Sequence, residues 1–465
     1  MARHTTTRLQ LGAQRFLLRR MMHALVRRDV AMHDDPLRAQ SLSLAVGGVL
    51  AGLTLAAGSI LGLVRPQGVP ASAPIVIARD TGALYVRVGD TLHPVLNLAS
   101  ARLIARSAAN PVPAGEAAIA AAKRGPLMGI PGAPATLGRP VRAGGWSVCD
   151  DERTVVALGD ARLDRMDSIR PVLVTPRGES AATTYLLYEG RRAAVDLRNI
   201  AVIRALRLDG VVPVVVSRTL LDVVPEAPAI APPPIVDAGM PGPAALGQVV
   251  IGDVVTVRRA DVTERYVVLR EGLQSVGEVA ADLIGFAYDG RARPDPTVAP
   301  AAVATLPIAD VLNVGTFPQR ASRPVGAADG RAVCARWRAT GAGSSASNTV
   351  VVSGDSPYRQ SAGVTVLAQA DGDGPGVDAV DLPGGASAYV RSARIVGDDG
   401  TTGARFLVTD AGVVFGVHDD DAATFLGLGA SPEAAPWPIL AHLPQGPELG
   451  VDAASVLRDG LSAPT

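Results

Sequence analysis

An uncharged apolar run, LSLAVGGVLAGLTLAAGSILGLV at residues 42–64, constrains this chain more than any other feature. It is about 23 residues long and stands between Arg38 and Arg65. At a rise of about 1.5 Å per residue, a helix of this length crosses the roughly 30 Å hydrocarbon layer of a bilayer. The run leaves a short arm on one side and about 400 residues on the other.

Charge orients the span. Before it stand eight arginines (Arg3, Arg8, Arg15, Arg19, Arg20, Arg27, Arg28 and Arg38) against three acids (Asp29, Asp34 and Asp35). Just after it come only Arg65, Arg79 and Asp80. Basic flanks stay cytoplasmic, so the expected topology is a single pass with the amino terminus inside and the bulk extracytoplasmic. A cleaved signal peptide is the competing reading, because Ala71-Ser72-Ala73 resembles a cleavage site. Secretory cores are shorter and follow a short basic head, whereas this head spans about 40 residues, so a retained anchor is preferred.

The arm's surplus of five positive charges leaves the rest of this neutral chain about five charges negative, which argues against nucleic acid as a partner. With 50 glycines and 36 prolines among 465 residues, turns and short strands are favoured over long helices. Some 400 residues bury more than one core, so several small modules are expected. Cys149 and Cys334 are the only cysteines, and on the oxidising side of a membrane they read most simply as one disulfide, with two unpaired buried thiols as the alternative. Closing a loop of about 185 residues, such a bridge contributes roughly 4–5 kcal/mol in the chain-entropy picture. Trp146 and Trp337 each stand three residues from a cysteine, which suggests a shared apolar packing site around the bridge.

In the arm, Phe16, Leu17, Leu18, Met21, Met22, Leu25 and Val26 recur near helical spacing among Arg15, Arg19, Arg20, Arg27 and Arg28. This predicts an amphipathic basic helix suited to anionic lipid or a partner helix, or else a solvated topology signal. Asp34, Asp35 and Pro36 interrupt it before the span. Beyond the membrane a motif recurs four times: strand, turn, helical run, closing proline. The copies open at Leu84, Tyr185, Tyr266 and Phe406 and close at Pro134, Pro228, Pro318 and Pro447. Their unequal spacing excludes a solenoid. Each of two wide gaps holds one cysteine, so the gaps are expected to pair into a β-rich core, with strands near Thr154–Leu158, 172–174, 349–352 and 364–367.

The expected class is therefore α+β: an amphipathic helix, one transmembrane helix, and four small α/β repeats around a central β-rich core closed by a disulfide. The divisions are an arm (1–40), the membrane helix (41–64), a linker (65–75), repeats at 76–140, 181–235, 245–320 and 403–450, core segments at 141–180 and 321–402, and a tail (451–465).

Motifs for chemistry are scarce. A Walker A loop ends in a lysine that holds the terminal phosphates, and the single lysine, Lys123, has no such loop before it. A non-standard nucleotide site stays open. Gly354-Asp355-Ser356-Pro357 resembles a nucleophile's setting, but His93, His418 and His442 have no sequence link to Ser356. The acidic loop from Asp371 to Asp378 departs from the EF-hand pattern at Pro375 and Leu382, so a solvated turn is preferred. His418-Asp419-Asp420-Asp421 reads as a helix start. No catalytic residue, cofactor or metal ligand is assigned.

Three stretches carry a family resemblance: Phe16-Leu17-Leu18-Arg19-Arg20, Ala24-Leu25-Val26-Arg27-Arg28-Asp29, and Asp35-Pro36-Leu37-Arg38-Ala39-Gln40. Arg65-Pro66-Gln67-Gly68, the two Trp/Cys signatures and Leu443-Pro444-Gln445-Gly446-Pro447 extend it over essentially the whole chain. The chain resembles the EccB family, membrane components of the type VII (ESX) secretion machinery of actinobacteria. The resemblance implies a plasma-membrane protein with a cytoplasmic arm and four periplasmic repeats about a disulfide-linked core. It implies a structural subunit of the secretion channel that self-associates in a complex with the EccC ATPase, EccD and EccE, with the mycosin protease MycP on the outer side. Family members are sometimes labelled ATPases, a role the lysine argument assigns to EccC instead. A peptidoglycan-binding envelope anchor is the third reading.

Overall fold

The computed structural model describes residues 7–28, 36–64, 72–142, 144–159, 163, 166, 170–178, 183–259, 262–289, 295–339, 347–358, 363–396, 403–429 and 431–458. The chain forms two compact units, Met1–Pro70 and Ala71–Thr465.

The first unit holds two helices, Arg8–Arg27 and Pro36–Val64. The Thr7 amide donates to Gln10 Oε1 at 3.2 Å and closes the start of the arm helix. Arg28 ends that helix in a left-handed conformation (φ 56°), donating its N–H to the Ala24 carbonyl. The arm helix thus stops short of Asp34 and Asp35, which lie outside the described residues. The membrane helix begins at Pro36, because proline's fixed φ suits a first helical turn. From Gln40 to Ile60 it is long and apolar enough to cross a bilayer, and its apolar side chains are exposed. Thr54 and Ser59 donate back to carbonyls of their own helix, so neither hydroxyl asks for water on that surface.

The second unit repeats one small architecture. Each copy is a three-stranded antiparallel meander, a helix, a strand parallel to the first, a second helix, and a last extended segment parallel to the third strand. The first helices are Leu98–Ala105, Ile200–Ala205, Glu278–Ile284 and Asp420–Leu426. Asn97, Asn199 and Asp419 cap three of them through side-chain oxygens that accept from first-turn amides. The second helices are Glu116–Ala120, Arg218–Val223, Pro300–Ala304 and Trp437–His442.

The repeats open one strand earlier than their hairpin signatures suggest. Their first strands are Ile75–Ala78, Val172–Pro176, Val254–Arg259 and Ala386–Ala393. Two of these were expected in the central core. Val172–Pro176 instead pairs with the second repeat (Val174 opposite Tyr185 and Val214), and Ala386–Ala393 with the fourth (Tyr389 opposite Leu407). The physical reason is position: this strand sits between two neighbours in its sheet. Long connections also separate it from its hairpin in both copies, so neither alternation nor a nearby turn marks its allegiance. Two of the peripheral strands carry Pro113 and Pro436, which lack the N–H that a further strand would need.

A six-stranded central sheet gathers both cysteine-bearing segments. Its order is Ser347–Gly354, Ala332–Ala339, Trp146–Asp150, Thr154–Leu158, Ala379–Asp381, Thr365–Val366. One continuous core joins a face of this sheet to the second and fourth repeats. A second core joins the other face of the second repeat to the third, and another joins the fourth to the first. Repeats two and four thus share one core with the central sheet, repeat three packs on two and repeat one on four, and the first and last repeats in sequence are neighbours in space. At the tip of the second repeat's hairpin, Gly190 (φ 72°) presses on the Thr349 carbonyl of the central sheet, where any Cβ would collide with it.

Candidate functional site

The central sheet is the hub, and its chemistry follows from strand alternation. Along Trp146–Asp150 successive side chains point to opposite faces, so Trp146 and Val148 share one face while Cys149 takes the other. Cys334 stands directly opposite Cys149 across the antiparallel pair, with Cα atoms 4.1 Å apart, and the two form a disulfide. Trp337 likewise stands opposite Trp146. The expected common site of tryptophans and bridge is therefore not formed. A separation of three residues is an odd number, and in a strand it places the two side chains on opposite faces.

Both tryptophans are fully buried, and their face carries the second repeat's helix Arg218–Val223. The fourth repeat's helix Trp437–His442 packs on that helix in turn. Asp150, buried at the end of its strand, accepts from the Ser217 amide at 2.6 Å and the Thr154 hydroxyl at 2.7 Å. Burial pushes its carboxyl above the usual range, against those hydrogen bonds. Between the two helices, Asp222 collects His442 Nε2 at 3.3 Å, Arg192 at 3.4 Å and Arg218 at 3.7 Å. Partial burial raises the Asp222 carboxyl, but the His442 hydrogen bond and the two guanidiniums outweigh it and hold it below the ordinary value. Apart from the Arg218–Asp222 pair at helical spacing, this junction had no signal in the sequence: Arg192 and His442 stand 30 and 220 positions from Asp222.

The other sequence candidates find separate uses. Ser356 Oγ accepts from the Tyr358 amide at 3.4 Å. The histidines are engaged elsewhere, His93 with the Pro126 carbonyl, His418 with Glu448 and His442 with Asp222. Asp378 is buried rather than solvated, and its oxygens accept from the amides of Thr154, Asp371 and Gly372. Asp419 caps the fourth repeat's first helix. Lys123 pairs with Asp90 at 3.4 Å on the surface. In the first unit, Arg15, Arg19 and Arg20 are exposed on the arm helix, Arg27 is its last residue, Arg28 follows it, and Arg38 lies in the second helix. The arm helix contains no acidic residue, and its apolar side chains, Leu17, Met21 and Leu25 among them, are equally exposed.

A family model described as type VII secretion system ESX-1, transport TM domain B, matches residues 3–463. The chain belongs to the EccB family. It is 35% identical to the ESX-3 secretion system ATPase EccB3 of Mycolicibacterium smegmatis, over 98% of this chain and 91% of that one. It is 34% identical to the ESX-5 secretion system ATPase EccB5 of Mycobacterium tuberculosis, over 98% and 94%. Among solved structures, a chain of an intact ESX-5 inner membrane complex matches with TM-score 0.71 and 32% identity, covering 100% of this chain and 98% of that chain. The EccB3 dimer from the ESX-3 core complex matches with TM-score 0.71 and 32% identity, covering 82% of this chain and 100% of the other.

Proposed function

We propose that this EccB-family chain is a structural membrane subunit of a type VII secretion complex, scaffolding its assembly and forming part of it outside the inner membrane. The observation that carries this reading is the match along the whole chain to a subunit of an intact ESX-5 inner membrane complex. The architecture supports it: five sheets held together by shared apolar cores make one body with several surfaces available for assembly. The arm and its arginines face the cytoplasm on the charge argument, and the repeats lie on the outer side. The EccB3 dimer from the ESX-3 core complex supports self-association as a dimer. EccC, EccD and EccE as partners, with MycP on the outer side, are what the family resemblance implies.

The names of the relatives also carry an ATPase label. This chain has one lysine, exposed and paired with Asp90, and no Walker A loop around it. The scaffold reading assigns nucleotide turnover to EccC. Mild-detergent extraction of a tagged copy, followed by native electrophoresis and mass spectrometry, tests it. One large assembly with the other membrane subunits is expected. Recovery of this chain alone, or ATP turnover by protein free of EccC, would overturn the reading.

A further inference from the structure

The segment that leaves the third repeat, residues 316–325, is a strap pinned at both ends. Near its start the Tyr188 hydroxyl donates to the Thr316 carbonyl at 2.8 Å, and the Glu278 amide donates to the Gln319 carbonyl at 2.9 Å. At its end the Val325 amide donates to the Pro171 carbonyl at 2.8 Å, and the Val325 carbonyl accepts from the Leu173 amide at 3.0 Å. Between this strap and the second repeat lies a cleft of about 350 Å³. The buried residues of its lining, Tyr188 and Pro318, form the floor, and the exposed Arg170, Arg320 and Glu189 form the rim. Burial pushes the Tyr188 hydroxyl up to about 12, so the floor carries no charge of its own.

We propose that this cleft binds a small organic anion, with an oxyanion head at the two guanidiniums and a compact apolar body on the floor. The rim sets two positive charges against one negative. Arg170 spends one N–H on the Arg323 carbonyl at 3.3 Å, which ties its guanidinium to the strap and leaves its other N–H groups to a ligand. Arg320 has no hydrogen-bond or ion-pair partner among the described residues, and Glu189 pairs with neither arginine. Arg191 stands close enough to act on the Tyr188 hydroxyl, so a third positive charge lies near the site. The guanidinium fork matches the two oxygens of a carboxylate or of a phosphate monoester. The Tyr188 ring and the Pro318 pyrrolidine offer flat apolar contact to the rest of the molecule. The volume falls within the range of small-ligand pockets, roughly 300–1,000 Å³, and exceeds what a bare inorganic anion fills.

The test titrates the full chain, purified in an uncharged detergent, into para-fluorobenzoate, para-fluorophenyl phosphate and the neutral para-fluorobenzyl alcohol. Fluorine line broadening reports binding, and micelles without protein correct for partition into detergent. Both anions should bind more tightly than the alcohol, and the tighter of the two identifies the head as carboxylate or phosphate. Arg320→Gln should weaken both anions on the order of tenfold, with melting unchanged because that guanidinium holds nothing in the fold. Glu189→Gln should strengthen them several-fold, a gain that a damaged fold would not produce. Retention of the alcohol as strongly as the anions overturns the site, as does an Arg320→Gln protein with unchanged affinity for both. Weaker anion binding by Glu189→Gln overturns the charge account of the rim.

Discussion

His442 Nε2 lies 3.3 Å from Asp222 Oδ2, joining the fourth repeat to the second across 220 positions of sequence. Arg192 and Arg218 complete the junction from the second repeat's own strand and helix. Because the folded state holds the Asp222 carboxyl below its ordinary value, the stabilisation is present above the unfolded pKa, about 4, and is lost as pH falls through the folded one. The side chain is about a third exposed, so Asp222→Asn should cost only about 1 kcal/mol at pH 7. Thermal unfolding of both proteins at pH 7 and near pH 3 checks this. The gap should narrow in acid, and an equal gap at both would refute the electrostatic account.

Trp337 and Trp146 fill the face on which the second repeat's helix rests. Trp337→Ala should therefore destabilise the Ala71–Thr465 unit by about 3–5 kcal/mol. Because this face is opposite the bridge, non-reducing peptide mapping should still find Cys149 joined to Cys334. Loss of the disulfide in the purified variant would mean that the two faces are coupled.

Cys149→Ser removes a covalent link between segments 185 positions apart. The melting temperature should fall by the equivalent of about 2–5 kcal/mol, while the far-ultraviolet circular dichroism of the folded variant stays that of the parent, since the strand ladder remains. An unchanged melting curve would show that packing alone sets the stability of the central sheet.

Charge reversal in the arm, Arg15, Arg19, Arg20, Arg27 and Arg28 to glutamate, should reduce recovery of the chain in the membrane complex. The melting of the Ala71–Thr465 unit should not change. Normal recovery in native electrophoresis would leave these arginines as topology signal only.

How much of this was readable in the sequence depends on how local each signal is. The helix start at Asp419 was legible, because its cause lies within a few residues. The first strand of each repeat was not, because Val172–Pro176 and Ala386–Ala393 acquire their partners across long connections. The pairing of Cys149 with Cys334 was legible by elimination, whereas the face each occupies needed the knowledge that both lie in strands.

The sequence by itself determined the apolar span, the basic arm, the number of repeats and the family, since composition and motif are properties of contiguous residues. Only the tertiary structure decided that repeat one packs on repeat four, that the tryptophans turn away from the disulfide, and that Asp222 meets His442. Those relationships arise from burying faces of separate modules against one another, and a face has no neighbours until the chain has folded.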